Sequence, residues 1–356
     1  MNTHPNLYQI GFRSKQGVTV GSRWYGREIE EADRYTLTKQ HIPSSTFSGA
    51  FHYFLYKRKI NSINRFSPFY IQKSDGKIIM PSRYRSCPLG CFSSPRQETI
   101  FCPECGFPMT EKTILTQCEF NNGLLTFFEG SSNRIVIDLN MLSVSSISTR
   151  NPIDEETHIS KITTEAGEDR GFLHHSEYLI SKWLGFAYGA VDDFPQLIQW
   201  FTELESIGKN KSRGYGKLDT SETIPVTSFK SSKMAYIASP IPVCEPPPNS
   251  KPKLKINLKV PEYAVEKRFS HKAPNMPLTL NLIAGGLLLK GEFPSELPLY
   301  LTLWNNGQLQ LFDYEIAAGE TTSLTGADLG GTTHYSMKDL WILGYGMLIP
   351  VEVKTL

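Results

Sequence analysis

The sequence predicts an α+β protein whose second half is mostly β. Apolar residues recur at helical spacing in two short windows, around Phe47–Leu55 and Phe194–Leu204. Beyond residue 253, apolar and polar residues alternate in short runs broken by turn residues. Between these regimes, Ser239–Pro252 holds six prolines in fourteen residues, the composition of a linker. The expected division is therefore a domain over 1–238, a proline-rich linker over 239–252 and a β-rich domain over 253–356. A chain of 356 residues is long enough for two such domains.

Composition sets the outer bounds. The chain is 40% hydrophobic and 20% charged, with a net charge of +2. That excludes a disordered or collagen-like chain and does not by itself imply nucleic acid. Met1–Pro5 lacks the basic and apolar regions of a signal peptide. The longest apolar stretch, Leu278–Leu289, is interrupted by Asn281, Gly285 and Gly286, so no membrane span and a cytoplasmic location are expected.

Taken in order, Leu7–Phe12 alternates and reads as a strand. The glycine-bounded loop Gly21–Arg27 follows, carrying Arg23, Trp24 and Tyr25; the cations suit phosphate and the rings suit bases. Pro43 stops any preceding helix, and Ser44 or Ser45 is the expected N-cap of a helix over about 45–57. Phe47, Ala50, Phe51, Phe54 and Leu55 mark its buried face, and Lys57, Arg58 and Lys59 close it against the dipole. Arg134–Leu139 alternates as a strand would, Arg150–Arg170 reads as a polar loop, and Tyr178–Tyr188 is ambiguous. Asp192-Asp193-Phe194-Pro195 starts a second helix with its buried face on Phe194, Leu197, Ile198, Phe201 and Leu204, ended by Gly208. Past the linker, Lys253–Val260, Leu278–Lys290, Leu299–Trp304, Leu309–Tyr314 and Leu340–Val353 read as strands, with a turn at Asn305-Asn306-Gly307.

Within about 80–120, Cys87, Cys91, Cys102 and Cys105 form two close pairs separated by ten residues. Thiolates at such spacing favour tetrahedral Zn²⁺, and four sulfur ligands make a closed, structural site with no position left for water. The expectation is a zinc-ribbon insertion in the first domain; Cys118 is the substitute ligand to consider, because the three-residue gap in the first pair is wide.

The run Ile207–Lys217 carries the most chemistry. It holds three glycines (Gly208, Gly214, Gly216) and four cations (Lys209, Lys211, Arg213, Lys217), with no acid. Glycines let the backbone approach a ligand and turn several N–H groups toward phosphate oxygens, which the cations neutralise. Ser212 adds a hydroxyl, and Tyr215 between two glycines can stack on a base. The expectation is RNA binding here.

These features follow one another in a particular order: Ile42–Ala50 (Ile-Pro-Ser-Ser-Thr-Phe-Ser-Gly-Ala), then the cysteines, then Ile-Gly-x5-Gly-Tyr-Gly after a helix. The chain over 1 to about 220 thereby resembles the RAMP superfamily of CRISPR-associated RNA-binding proteins. In that family an early helix opens with a similar motif and a glycine-rich loop closes the first domain. Here Ser44 stands where the family usually has glycine, and Ser48 where it commonly has a basic residue. The resemblance implies two ferredoxin-like (RRM-like) halves and RNA contacts at Ser45 and Gly49 as well as at the loop. Within the superfamily the chain is most similar to the Cas-family-five-like subunit of type III-D effector complexes. That likeness implies a non-catalytic role in antiviral defence, capping the crRNA and holding its repeat-derived 5′ tag. The implied partners are the crRNA, the large subunit and the backbone RAMP subunits.

Two enzymatic alternatives accompany this reading. A metal-independent, repeat-processing endoribonuclease would draw on His41, His52, His174 or His175. A backbone subunit cutting target RNA with a metal would use an isolated loop carboxylate such as Asp33 or Asp154. No pair of histidines stands out, and Asp154 sits among Glu155 and Glu156 as in a solvated loop. A zinc-ribbon transcription factor would explain the cysteines but not the glycine-rich loop.

Overall fold

The computed structural model describes residues 6–14, 17–18, 23–25, 33–37, 41–60, 64–121, 123–137, 144–150, 162–163, 169–170, 173–189, 194–204, 206–208, 216–226, 230–242, 251–252, 254–257, 263–270, 273–283, 285–293, 301–305, 308–312 and 342–356. Among them the architecture is α+β, with one large mixed sheet and three helices. The sheet's main path runs Leu218–Val226, Asn6–Ser14, Lys182–Gly189, Phe69–Gln72, Ile78–Ser86, Thr110–Asn121, Leu124–Glu129, Leu348–Thr355, Ser232–Ile237 and Leu288–Phe293. Neighbours on this path are antiparallel except Leu124–Glu129 and Leu348–Thr355, which are parallel, with Leu125 opposite Val351 and Phe127 opposite Val353. The path thus takes strands from both sides of the proline-rich segment.

Alternation along the strands buries both faces of this sheet. Phe69, Ile71, Trp183 and Ala187 join one core with Phe12 and Phe66, while Tyr70, Leu184 and Phe186 join a second with Tyr84, Cys118, Phe127 and Tyr236. Helices α1 (Ser44–Lys57) and α3 (Phe194–Glu203) cover the first face. Phe47 lies 4.4 Å from Phe69 and 5.4 Å from Phe201, ring centre to ring centre. Each such ring contributes about 1.5–3 kcal/mol by leaving water.

The helical spacing of Phe47, Phe51 and Leu55 placed α1 correctly, but its start differs from expectation. Pro43 is the N-cap and no side chain caps the helix. The Ser44 hydroxyl instead donates to the carbonyl of Gly344 at 3.2 Å. A Cβ on Gly344, whose φ is +80°, would stand 2.7 Å from the Cβ of Ser44, so the two chains meet where only glycine fits.

Other expectations are corrected. The described part of the Arg134–Leu139 run, 134–137, is not a strand: Ser132–Ile135 makes one helical turn (α2), and Val136 forms only an isolated bridge to Thr116. The alternation of Ile135, Ile137 and Leu139 gives way locally to a turn in which the Arg134 N–H donates to Ser131 O at 3.0 Å. The Leu278–Lys290 run is two strands, Ala273–Ile283 and Leu288–Phe293, split at Gly285-Gly286, where Gly286 has φ +90°. The described part of Leu340–Val353, from residue 342, turns through Gly344 and Gly346 and becomes a strand at Leu348. The expected Lys253–Val260 strand is present over its described part, Leu254–Asn257, and its other residues lie outside the described ones. The ambiguous Tyr178–Tyr188 region is two strands, Leu173–Ile180 and Lys182–Gly189. The supposed loop 150–170 begins with Arg150 at the end of strand Val144–Arg150 and contains the pair Ile162–Thr163 and Asp169–Arg170. The start of the proline-rich segment belongs to the core: Ile241 is buried, and the Ser239 hydroxyl accepts the N–H of Met347 at 2.8 Å.

Candidate metal centre and glycine-rich loop

The cysteine module rests on the strand Ile78–Ser86 and its partner Thr110–Asn121, which bring Ser86 opposite Thr110. Cys87 and Cys102 each open a six-residue turn, Cys-Pro-Leu-Gly-Cys-Phe and Cys-Pro-Glu-Cys-Gly-Phe. Both turns close the same way: Cys87 N–H donates to Phe92 O at 2.9 Å, and Cys102 N–H donates to Phe107 O at 2.8 Å. Gly90 and Gly106 both take φ +76°. The wider gap between Cys87 and Cys91 sits in a turn of the same length and closing bond, with its positive-φ glycine one position earlier.

The result is a cluster of four thiols whose sulfurs lie within 4.8 Å of one another. Cys91 stands 3.4 Å from both Cys87 and Cys105, and Cys87 is 3.5 Å from Cys105. A tetrahedral ion bound by sulfur at about 2.3 Å needs sulfurs about 3.8 Å apart, so a small metal ion fits with shifts of a few tenths of an ångström. The thiols also share their charge. Cys87 is desolvated, yet the Leu89 backbone N–H and the neighbouring sulfurs bring it down to about 7. Cys91, in hydrogen-bond contact with the sulfurs of Cys87 and Cys105, is pushed up to about 12. A cation in the cluster would draw off the protons that this crowding retains. Cys118 is not a fifth candidate: it lies buried in the second core, opposite Ile78, and burial pushes its thiol well up.

The module is fastened to the sheet through Glu129. Its carboxylate accepts from the Ser94 hydroxyl at 2.8 Å, lies 3.3 Å from Arg96 Nε, and accepts from Thr355 at 3.3 Å. Arg83 is nine-tenths buried and paired with Glu111 at 3.4 Å, so it belongs to this scaffold.

The glycine-rich loop has its ends fixed. Lys209, Lys211, Ser212, Arg213, Gly214 and Tyr215 lie outside the described residues, but Ile207, Gly208, Gly216 and Lys217 do not. Ile207, fully buried, donates to the carbonyl of Gly216 at 3.0 Å. Gly216, at φ +72°, donates in turn to Gly17 O at 2.8 Å. A Cβ on Gly216 would fall 1.8 Å from Ile207 O, and one on Gly17 would fall 2.6 Å from the Tyr178 ring. Lys217 is exposed and bridges Ser206.

Remaining candidates are dispersed. Arg23, Trp24 and Tyr25 form a short strand that pairs with Asp33–Leu37. Ser45 is buried at 6% exposure, and Gly49 is half-buried beside Leu343. His41 lies beside Tyr70, with ring centres 6.0 Å apart. The Nδ1 of His52 meets the Ser48 carbonyl at 2.8 Å, and burial lowers its pKa. His174 and His175 lie on the strand Leu173–Ile180, and Asp33 starts the strand parallel to it; Asp154 lies outside the described residues. A second Gly-Tyr-Gly at 344–346, which the sequence reading passed over, is structural: Tyr345 is buried, and its carbonyl accepts from Arg65.

No family model and no curated protein matches this chain. Solved structures give partial matches to it. A chain of the type III-B Cmr-beta complex bound to cognate target RNA and AMPPnP matches at 11% identity and TM-score 0.41, over 80% of this chain and 86% of that one. A chain of the same kind of complex in the apo state matches at 9% identity and TM-score 0.28, over 62% and 97%. A CRISPR protein from Archaeoglobus fulgidus matches at 10% identity and TM-score 0.28, over 86% and 98%. Among the described residues, no helix is long and apolar enough to cross a membrane.

Proposed function

We propose that this chain is a non-catalytic RNA-binding subunit of a CRISPR ribonucleoprotein effector complex, acting in the cytoplasm in antiviral defence. The observation that carries the reading is the closure of the glycine-rich loop at Ile207 and Gly216. Seven residues, 209–215, span between fixed ends and include Lys209, Lys211 and Arg213. Anchored ends lower the entropy lost when such a loop orders around a phosphate backbone. The order of motifs from Ile42 to Gly216 supports the finer assignment, capping of the crRNA at its repeat-derived 5′ tag in a type III-D complex. In that role the partners are the large subunit and the backbone RAMP subunits.

The cysteine cluster supports structural zinc. Cys87, Cys91, Cys102 and Cys105 would hold the ion and tie the 87–105 hairpin together, and four sulfur ligands leave no open position for catalysis. His52, tied to the Ser48 carbonyl of its own helix at 2.8 Å, supports a structural place for that histidine.

The test incubates the purified chain with end-labelled CRISPR repeat RNA, with and without EDTA, following binding and cleavage together. Retention of intact RNA in both conditions is the expected result. Cleavage that survives EDTA would replace this reading with a repeat-processing ribonuclease, and cleavage lost with EDTA would replace it with a backbone subunit.

A further inference from the structure

The C-terminal turn of α1 is built unlike an ordinary helix end. Ile60 N–H donates to Leu55 O at 3.0 Å and Lys59 N–H to Tyr56 O at 3.0 Å, the double bond pattern of a Schellman motif. The position that glycine normally fills in that motif is Lys59, at φ +58° and alone among described non-glycine residues in having positive φ. A lysine here is strained, where glycine would not be.

What surrounds Lys59 gives the strain a use. Tyr53 and Tyr56 are 59% and 79% exposed, well above the intermediate exposure usual for tyrosine. They stand three apart on one helix face, with Lys57 one turn beyond Tyr53 and its ammonium 4.8 Å over that ring. Among the described residues, Lys57 and Lys59 have no acidic partner. Arg58 does, pairing with Glu203 at the end of α3. From Glu203 the chain runs through buried Leu204 and Ile207 directly to Gly208 and the glycine-rich loop.

We infer that Tyr53, Tyr56, Lys57 and Lys59 form a second binding surface, for single-stranded RNA. The exposed rings of Tyr53 and Tyr56 can stack on bases of any sequence, and Lys59, together with Lys57 once it turns from the Tyr53 ring, can take the flanking phosphates. Stacking needs unpaired bases, which sets this surface against duplexes. The inference rests on the RNA-binding reading and adds a separate contact to it.

The test measures binding of the full chain to a labelled single-stranded oligoribonucleotide and to the same sequence as a duplex, across a salt series. Tyr53→Ala with Tyr56→Ala should weaken single-strand binding about tenfold or more and leave duplex binding little changed. Lys59→Gly should lower the salt slope by about 0.7 without lowering the melting temperature, because it relieves the strained turn. Unchanged single-strand affinity in both variants, with binding still lost in Lys211→Ala plus Arg213→Ala, would overturn this surface and leave the RNA reading standing. No binding by the unmodified chain would overturn both.

Discussion

Gly216 donates its amide hydrogen to the carbonyl of Gly17 at 2.8 Å, which pins the exit of the cationic run to a residue just past the first strand. Because a Cβ at 216 would overlap Ile207 O, and φ there is +72°, alanine cannot be accommodated without moving the backbone. Gly216→Ala should cost about 2–4 kcal/mol of stability or open the loop base. Urea unfolding measures the first, and exchange of the Ile207 amide hydrogen measures the second. A variant unchanged in both would mean the base is not closed in solution.

The loop's cations should act through phosphate. Replacing Lys211 and Arg213 together by alanine should weaken RNA binding and reduce the slope of log affinity against log salt by roughly 1.4, two contacts at about 0.7 each for single strands. A loss of affinity with an unchanged slope would point to altered loop shape instead.

The two cysteine turns should bind metal as one unit. Elemental analysis of the purified chain should find one zinc, and Cys91→Ser or Cys105→Ser should weaken its retention against a chelator. Cys118→Ser should leave the metal content unchanged, because that sulfur lies in the second core. Removing the ion should loosen residues 87–105 first, and limited proteolysis would locate the cut.

Stability should fall in mild acid. Burial lowers the pKa of His52 below its ordinary 6.5, so the unfolded chain takes up the proton first. The stabilisation is complete above about pH 6.5 and is lost as pH drops toward the depressed folded value. His52→Gln should flatten this part of the melting-temperature profile; a profile identical to that of the unmodified chain would show that another group sets it.

Much of this was legible locally. The spacing of Phe47, Phe51 and Leu55 gave α1, and the four cysteines named their own cluster. What escaped were relationships between distant segments. Nothing around Ser44 announces that Gly344 will occupy its hydroxyl. Nothing in Leu348–Thr355 says that it lies between Leu124–Glu129 and Ser232–Ile237. The end of α1 was read where it lies, but the left-handed backbone at Lys59 was not, because the usual sign is glycine and a lysine holds the position. The two Gly-Tyr-Gly runs carry the same lesson, since one is core and only its surroundings reveal this.

The parallel pairing of Leu124–Glu129 with Leu348–Thr355 joins Thr126 to Glu352, 226 positions away. A ribosome adding about 5–20 residues per second needs on the order of ten to forty-five seconds to cover that distance. Throughout that interval the 124–129 strand has been made but lacks its partner, and an open strand edge invites pairing with other nascent chains. Output of folded protein should therefore respond to elongation speed and to holdase chaperones that shield this edge more than to changes in the helices.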